Sequence, residues 1–183
     1  MDLYPNCSPF KWRIFRRLCY GKGRGVHSPK AFSMVNTLLF PQGTYYAYNA
    51  MPNLFEKPVY QLIYRIIVRC RLHSVVLLNV DNCIAEIASL ANPNVCLYDH
   101  LPPNIENTLL VFDDIPKSGI LDVYSTTYLL ILTPNRATYR MMKWVRSLND
   151  CLILDLYEAV LITGIEPIKN KNNSINYIYR TTL

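Results

Sequence analysis

Glycine is scarce in this chain: the 183 residues include six glycines, and none lies between Gly43 and Gly119. The stretch VVLLNVDNCIAEIASL, residues 75–90, nevertheless has the pattern of a buried strand, a short turn and an apolar-faced helix. Nucleotide- and cofactor-binding domains commonly build such a turn from glycines, because the missing side chain lets the backbone approach the ligand. The sequence therefore excludes a glycine-rich ligand loop at this turn.

Long apolar runs are also missing. No segment approaches the roughly 18 apolar residues of a membrane span, and the N-terminus MDLYPNCSPFKWRIFRR lacks the apolar centre of a signal peptide. With 51% hydrophobic and 17% charged residues, the chain can bury a sizeable core, and its length suits one domain. We therefore expect a single cytoplasmic domain over residues 1–183, without a transmembrane segment.

The six cysteines form no recognisable pattern: there is no C-x-x-C pair and no histidine at zinc-ligand spacing. Four of them sit inside apolar runs, where a free thiol behaves as a small hydrophobic group. We expect free thiols in the core and no metal site.

The positive charge is concentrated at the N-terminus. Residues 1–30 contain seven basic side chains and one acid, so they hold the whole formal excess of +6. Residues 9–20, PFKWRIFRRLCY, predict a basic amphipathic helix, and residues 1–40 together predict a basic helical arm. Two alternatives stay open: the arm packs on the body with its charges in water, or it contacts nucleic acid or an anionic surface. The bases available for such contacts are Lys11, Arg13, Arg16, Arg17, Lys22 and Arg24.

Beyond the arm, strand and helix patterns alternate. Helices are predicted from Pro29 to a point before Pro41, and over residues 58–70, 82–91 and 133–148. Strands are predicted over 74–80, 94–100, 108–114 and 128–133, and closely spaced strands follow near the end of the chain. Residues 41–53 predict a loop. This order indicates an α/β fold: a mostly parallel sheet with helices on both faces and antiparallel strands at one edge.

Several of these features resemble a known family. The motif GVHSP, residues 25–29, follows the basic helix, and residues 53–102 read as helix, strand, helix and a strand ending in an acid. In these features, and in a late tryptophan-containing helix followed by a strand pair, the chain resembles class I S-adenosylmethionine-dependent methyltransferases. In particular, it resembles a Bacteroidetes-type group with an N-terminal G-x-HSP motif. A Leu-x-Tyr-Arg-like patch of that group is matched by Leu62, Ile63, Tyr64 and Arg65. The resemblance implies a three-layer, Rossmann-like methyltransferase core over residues 58–183.

The chain departs from the family at the cofactor turn and at one crossover. The family reads E-L-G-T-S-L-G where this chain has LLNVDNC, residues 77–83, with Val80 in the place of the first glycine. Only about nine residues separate Asp99 from the next strand, too few for another βαβ unit. We expect a shortened crossover, and too little room for an adenosyl ligand beside Val80. The cofactor contacts that the resemblance implies are Asn79, Val80, Asp81 and Asp99, with Asp99 on the ribose.

Two further acids, Asp113 and Asp114, end a predicted strand, where α/β sheets present polar groups to ligands. Paired carboxylates of this kind can perform acid–base chemistry or hold a metal. The same residues begin DDIPKSG, which is also a natural turn sequence. Asp113 and Asp114 are therefore candidate catalytic residues, with a plain turn as the alternative.

Together these features predict a methyltransferase-like protein that has lost or weakened S-adenosylmethionine binding and acts as a non-catalytic binding or structural protein. One alternative is an active methyltransferase of unknown substrate, with Asp99 on the ribose and Asp113 near the reacting groups. Another is a protein that contacts nucleic acid through its basic arm. The expected cofactor is accordingly either none or S-adenosylmethionine.

Overall fold

A computed structural model describes residues 29–39, 43, 45–103, 106–113, 127–132, 151–156, 159–164 and 177–180. Four sequence predictions lie outside these residues: the basic helix over 9–20, all six basic side chains offered as nucleic-acid contacts, the helix over 133–148, and Asp114.

Four helices lie in the described part of the chain: α1 (Pro29–Leu38), α2 (Tyr46–Ala50), α3 (Pro58–Cys70) and α4 (Cys83–Ala91). Proline occupies the first position of α1 and α3, where its missing N–H leaves no helical hydrogen bond unmade. Arg71 ends α3 in the left-handed conformation, with φ 52°. The loop predicted over residues 41–53 is wrong in part, because α2 lies inside it.

The described residues form one sheet of seven strands: β1 (Ser74–Leu78), β2 (Cys96–Tyr98), β3 (Thr108–Phe112), β4 (Tyr128–Leu132), β5 (Cys151–Asp155), β6 (Ala159–Gly164) and β7 (Tyr177–Arg180). Their order across the sheet is β2-β1-β3-β4-β6-β5-β7. All neighbours pair in parallel except β6, which is antiparallel to both β4 and β5. The predicted α/β class and the mostly parallel sheet are confirmed, with the antiparallel pairing toward one edge.

The crossover from β2 to β3 is short. Only residues 99–107 connect the two strands, which lie on opposite sides of β1. Cys96 and Thr108, the first residues of β2 and β3, are both in register with Ser74. The connection therefore only has to run back along the three-residue length of β2 and cross β1. Nine residues can reach roughly 30 Å when extended, so this path needs no helix.

The core lies on both faces of the sheet. On one face, Val75, Leu109 and Leu130 pack with buried side chains of α1, α3 and α4. On the opposite face, Val76, Leu110 and Leu129 are also fully buried. Each buried aliphatic side chain of this kind stabilises the fold by roughly 1.5–3 kcal/mol. Because the two faces alternate along every strand, both layers depend on the same strand register.

The longest described helix, α3, has 13 residues, and the described part of the chain contains no helix with the length and apolar character of a membrane span.

Candidate functional site

A cleft of about 670 Å³ lies at the carboxyl ends of β1, β3 and β4. Its walls come from the first turn of α3, from the turn between β1 and α4, and from the ends of β3 and β4. The lining residues are Glu56, Lys57, Pro58, Val59, Tyr60, Asn79, Val80, Asp81, Ile84, Asp113 and Leu132.

The strand order explains why the cleft forms here. The chain leaves β1 toward β2 on one side and later returns to β3 on the other side of β1. Connections after β1 and β3 therefore diverge, and the space between them is the topological switch point at which open α/β sheets bind ligands. The cleft occupies this switch point.

The helix α3 reaches the cleft because of a short connection. Only residues 71–73 join α3 to β1, so the helix runs back along the sheet and begins near the carboxyl end of β1. Its 13 residues rise about 20 Å, close to the length of a five-residue strand and its flanking turns. Lys57 and Tyr60 thereby reach the cleft, although the sequence analysis did not identify them. The Lys-Pro pair that opens α3, followed by a three-residue link to β1, is the signal that could have located them.

The turn after β1 has an asparagine at the position where φ is positive. Asn79 has φ 57°, in the left-handed region, whereas Val80 does not have a positive φ. Asparagine tolerates this conformation far better than a β-branched residue. The position that needs a positive φ is therefore Asn79, one residue before Val80.

Val80 also leaves the cleft open. Its side chain is half-buried and packs against the helical face of the core while lining the cleft. A volume of about 670 Å³ is within the range of roughly 300–1,000 Å³ that holds small molecules. The volume of the cleft thus contradicts the expectation of too little room for an adenosyl ligand beside Val80.

Asp81 joins the two helices at the mouth of the cleft. One carboxylate oxygen, Oδ1, accepts a hydrogen bond from the backbone N–H of Cys83 at 3.1 Å, in the first turn of α4. The other, Oδ2, accepts one from the Tyr60 hydroxyl at 3.1 Å. Lys57 Nζ in turn donates to the Tyr60 hydroxyl oxygen at 3.1 Å. Three side chains from two segments thus form a continuous hydrogen-bonded chain.

This hydrogen-bonded network shifts the pKa values of Lys57 and Asp81, at its two ends, in opposite directions. The hydrogen bond from the Cys83 backbone, with help from Tyr60 and Lys57, lowers the pKa of Asp81. The hydrogen bond to Tyr60 raises the pKa of Lys57. Both shifts favour the charged forms. At neutral pH the Tyr60 hydroxyl therefore lies between the Lys57 ammonium and the Asp81 carboxylate.

The thiol of Cys83 sits beside this carboxylate. Its hydrogen bond to Asp81 raises the pKa of the thiol, since a nearby negative charge disfavours the thiolate. Cys83 is therefore held in the protonated form and is a poor nucleophile at neutral pH.

Asp113 lines the cleft from the end of β3 and is exposed there. It lies with Asn79, Val80 and Asp81 around one space, so four of the residues singled out from the sequence come together. Its sequence neighbour Asp114 is outside the described residues.

Asp99 lies elsewhere. Its side chain is 94% exposed, and one of its oxygens is 2.6 Å from His100 Nδ1. This contact lowers the pKa of Asp99, and the residue is not part of the cleft wall. β2 ends at Tyr98, and the chain turns away immediately afterwards, which leaves the carboxylate in solvent. Asp99, which the resemblance assigns to the ribose contact, is thus separated from the other candidate residues.

Among the described residues of the cleft wall there are three carboxylates, on Glu56, Asp81 and Asp113, and one ammonium, on Lys57. A negative cleft contrasts with the formal charge of +6 on the whole chain. Within the described ranges, no three His, Cys, Asp or Glu side chains lie close enough together to hold a metal ion.

No protein-family model, curated protein or solved structure matches this chain.

Proposed function

We propose that this chain is a methyltransferase-like α/β protein that has lost or weakened S-adenosylmethionine binding and binds a different small ligand in the switch-point cleft. One observation carries the proposal. The cleft is present, but Asp99, the acid that the resemblance would assign to the cofactor ribose, lies outside its wall and contacts His100.

The sheet supports the methyltransferase-like part of the proposal. Four parallel strands are followed by β6, which runs antiparallel between β4 and β5. A strand pair of this kind at the end of the chain is what the resemblance implies.

The charge of the cleft indicates the class of ligand. Low-dielectric walls concentrate the field of the charges that line a cleft, and carboxylates outnumber ammonium groups among the lining residues that the structure describes. The proposed ligand therefore combines a flat or apolar body with a cationic or hydrogen-bond-donating group.

Isothermal titration calorimetry with S-adenosylmethionine and S-adenosylhomocysteine tests the loss of the cofactor. We expect no saturable binding in the low-micromolar range for either compound. Low-micromolar affinity for either one would overturn this part of the proposal.

Ligand-observed NMR with a set of small aromatic amines and their neutral analogues tests the cleft itself. We expect the amines to bind preferentially and Val80→Trp, which fills the cleft, to abolish their binding. Leu97→Trp is the matched control, because Leu97 is 41% exposed on β2, away from the cleft wall. If no amine binds, or if the signal survives in Val80→Trp, the cleft is not the binding site.

The room in the cleft favours a second candidate, an active methyltransferase with Asp113 near the reacting groups. Under this candidate S-adenosylhomocysteine binds in the low-micromolar range, and Asp99→Ala abolishes that binding. Unchanged affinity in the Asp99→Ala variant would remove Asp99 from the cofactor site.

A further inference from the structure

An aromatic cluster surrounds the second turn of α3. We define it as Tyr45, Tyr48, Phe55 and Tyr64. Tyr48 lies at the centre of three contacts, with ring centroids 5.3 Å from Tyr45, 4.8 Å from Phe55 and 5.6 Å from Tyr64. Tyr64 also meets Tyr45 and Phe55 edge to face, each at 5.4 Å. The cluster thus forms one continuous aromatic wall.

Arg65 is buried beside this wall, and no described residue is a hydrogen-bond partner of its Nε–H. Only 7% of its surface is exposed. Among the described residues no carboxylate pairs with it. A buried guanidinium is stable only when its charge and its donors are matched, so Arg65 departs from the usual arrangement of buried charges.

The neighbouring tyrosines do not supply a counter-charge for Arg65. The Tyr48 hydroxyl donates to the Gln61 carbonyl at 3.0 Å, and the Tyr45 hydroxyl accepts from Arg69 Nε at 2.7 Å. Burial raises the pKa of Tyr48 to about 12, so its hydroxyl is neutral at physiological pH. The aromatic cluster therefore provides walls but no counter-charge.

We propose that Arg65 is an oxyanion-binding residue, whose buried guanidinium beside the aromatic cluster pairs with a carboxylate or phosphate group. A planar guanidinium pairs with either oxyanion through two parallel hydrogen bonds. Arg65 belongs to the Leu62–Arg65 patch that the sequence analysis singled out and that the cleft does not use. The inference is independent of the proposed function, because Arg65 is five residues beyond Tyr60, about 7.5 Å further along the helix axis.

Thermal unfolding of the full chain in sodium phosphate or sodium acetate, with ionic strength held constant by sodium chloride, tests the site. We expect the Tm to rise by about 5–10 °C when the free anion concentration is about a hundredfold above Kd, the size expected from mass action for a protein of this length. A response to phosphate alone identifies phosphate groups as the ligand, and a response to acetate identifies carboxylates.

Two variants distinguish anion binding at Arg65 from a general effect of salt on the Tm. Arg65→Met should lose the anion-dependent rise in Tm. Its Tm without added anion should equal or exceed that of the unsubstituted chain, because an unpaired buried charge has been removed. Arg69→Met is the matched control: Arg69 is exposed one turn further along α3 and contacts Tyr45, and this variant should keep the rise.

A Tm that does not respond to either anion beyond sodium chloride would overturn the inference, as would an equal loss of response in Arg65→Met and Arg69→Met. If Arg65→Met does not fold, the unsubstituted chain still decides the matter by NMR. The Nε–H resonance of Arg65 should move downfield and saturate with phosphate or acetate while that of Arg69 stays in place, and an unmoved Arg65 resonance would refute the site.

Discussion

At the scale of single residues, Asp81 connects the cleft to the stability of the fold. Its carboxylate bridges the first turn of α4 and Tyr60 on α3, so a polar residue of the cleft wall also holds two helices together. Carboxylates that accept hydrogen bonds from backbone and side-chain donors are stabilised in the charged form. This bridge has a consequence for the pH dependence of folding.

We predict that Asp81→Asn reduces the acid sensitivity of the protein. The folded pKa of Asp81 is lower than the ordinary value of 3.8. Its contribution to stability is therefore fully present above that value and is lost as the pH falls through the folded pKa. Urea unfolding midpoints measured from pH 6 down to pH 2 should fall less steeply in Asp81→Asn than in the unsubstituted chain.

Tyr60→Phe is the control for this prediction, since it removes one hydrogen bond to Asp81 and keeps the carboxylate. Its midpoint should fall with a slope between those of the other two proteins. Identical slopes in the unsubstituted chain and Asp81→Asn would mean that the bridge does not contribute to stability in solution.

Asn79 provides a second residue-scale prediction. Because its φ is 57°, a side chain branched at Cβ is strained there, and Asn79→Val should destabilise the fold by roughly 1–2 kcal/mol. Asn79→Gly should change the free energy of unfolding by no more than a few tenths of that cost, since glycine adopts this conformation freely. Denaturant unfolding measures both.

The matched control is Asn82→Val, at an exposed position three residues later where φ is −57°. The same side-chain change should cost clearly less there than at Asn79. Equal costs at the two positions would contradict the strain argument.

At the scale of secondary-structure elements, β2 and β3 show how the position of a strand in the sheet determines its contribution to the core. β2 is an edge strand of three residues with exposed Cys96 and Leu97, whereas every residue of β3 is buried. Edge strands with few buried side chains contribute little to the core, so the short crossover after β2 is tolerated.

A pair of leucine substitutions tests this difference. Leu109→Ala, on β3, should lower the free energy of unfolding by about 2–5 kcal/mol because it opens a cavity in the core. Leu97→Ala, on β2, should change it by less than about 0.5 kcal/mol because the side chain already contacts water. Comparable losses in the two variants, measured by urea unfolding, would mean that β2 is covered in solution.

The helix α2 shows why one element was missed. Five residues are too few for a helical period to be visible in the sequence, and tyrosines next to prolines are typical of a loop. What orders α2 is tertiary: Tyr48 packs against Phe55 and Tyr64, and its hydroxyl donates to Gln61 on α3. By contrast α3 was predicted to the residue, since its apolar stripe and its initial proline are both local signals.

At the scale of the whole molecule, the sheet joins two cores through strands that alternate their side chains between them. β1 and β3 sit next to each other inside the sheet, flanked on both sides, and both contribute to both cores. Disrupting either strand therefore affects both layers, whereas α2 and β2 lie at the periphery. Cooperative unfolding should begin at that periphery.

Hydrogen exchange followed by mass spectrometry tests this order. Backbone amides of β1, β3 and β4 should exchange slowest, through global unfolding, and those of β2 and α2 should exchange by local opening at least tenfold faster, on the order of 1.4 kcal/mol less protection. Protection of β2 equal to that of β3 would contradict the peripheral role of the edge strand.

The sequence by itself determined the α/β class, α3, and the residues that follow β1 and β3, because hydrophobic period and strand ends are written locally in the chain. It also placed Asn79, Val80, Asp81 and Asp113 at the carboxyl ends of parallel strands. Only the tertiary structure decided that Lys57 and Tyr60 complete the cleft, that Asp99 faces water, and that Arg65 is buried with no counter-charge among the described residues. Those outcomes depend on how helices and strands far apart in the chain pack against each other, and no local pattern encodes that packing.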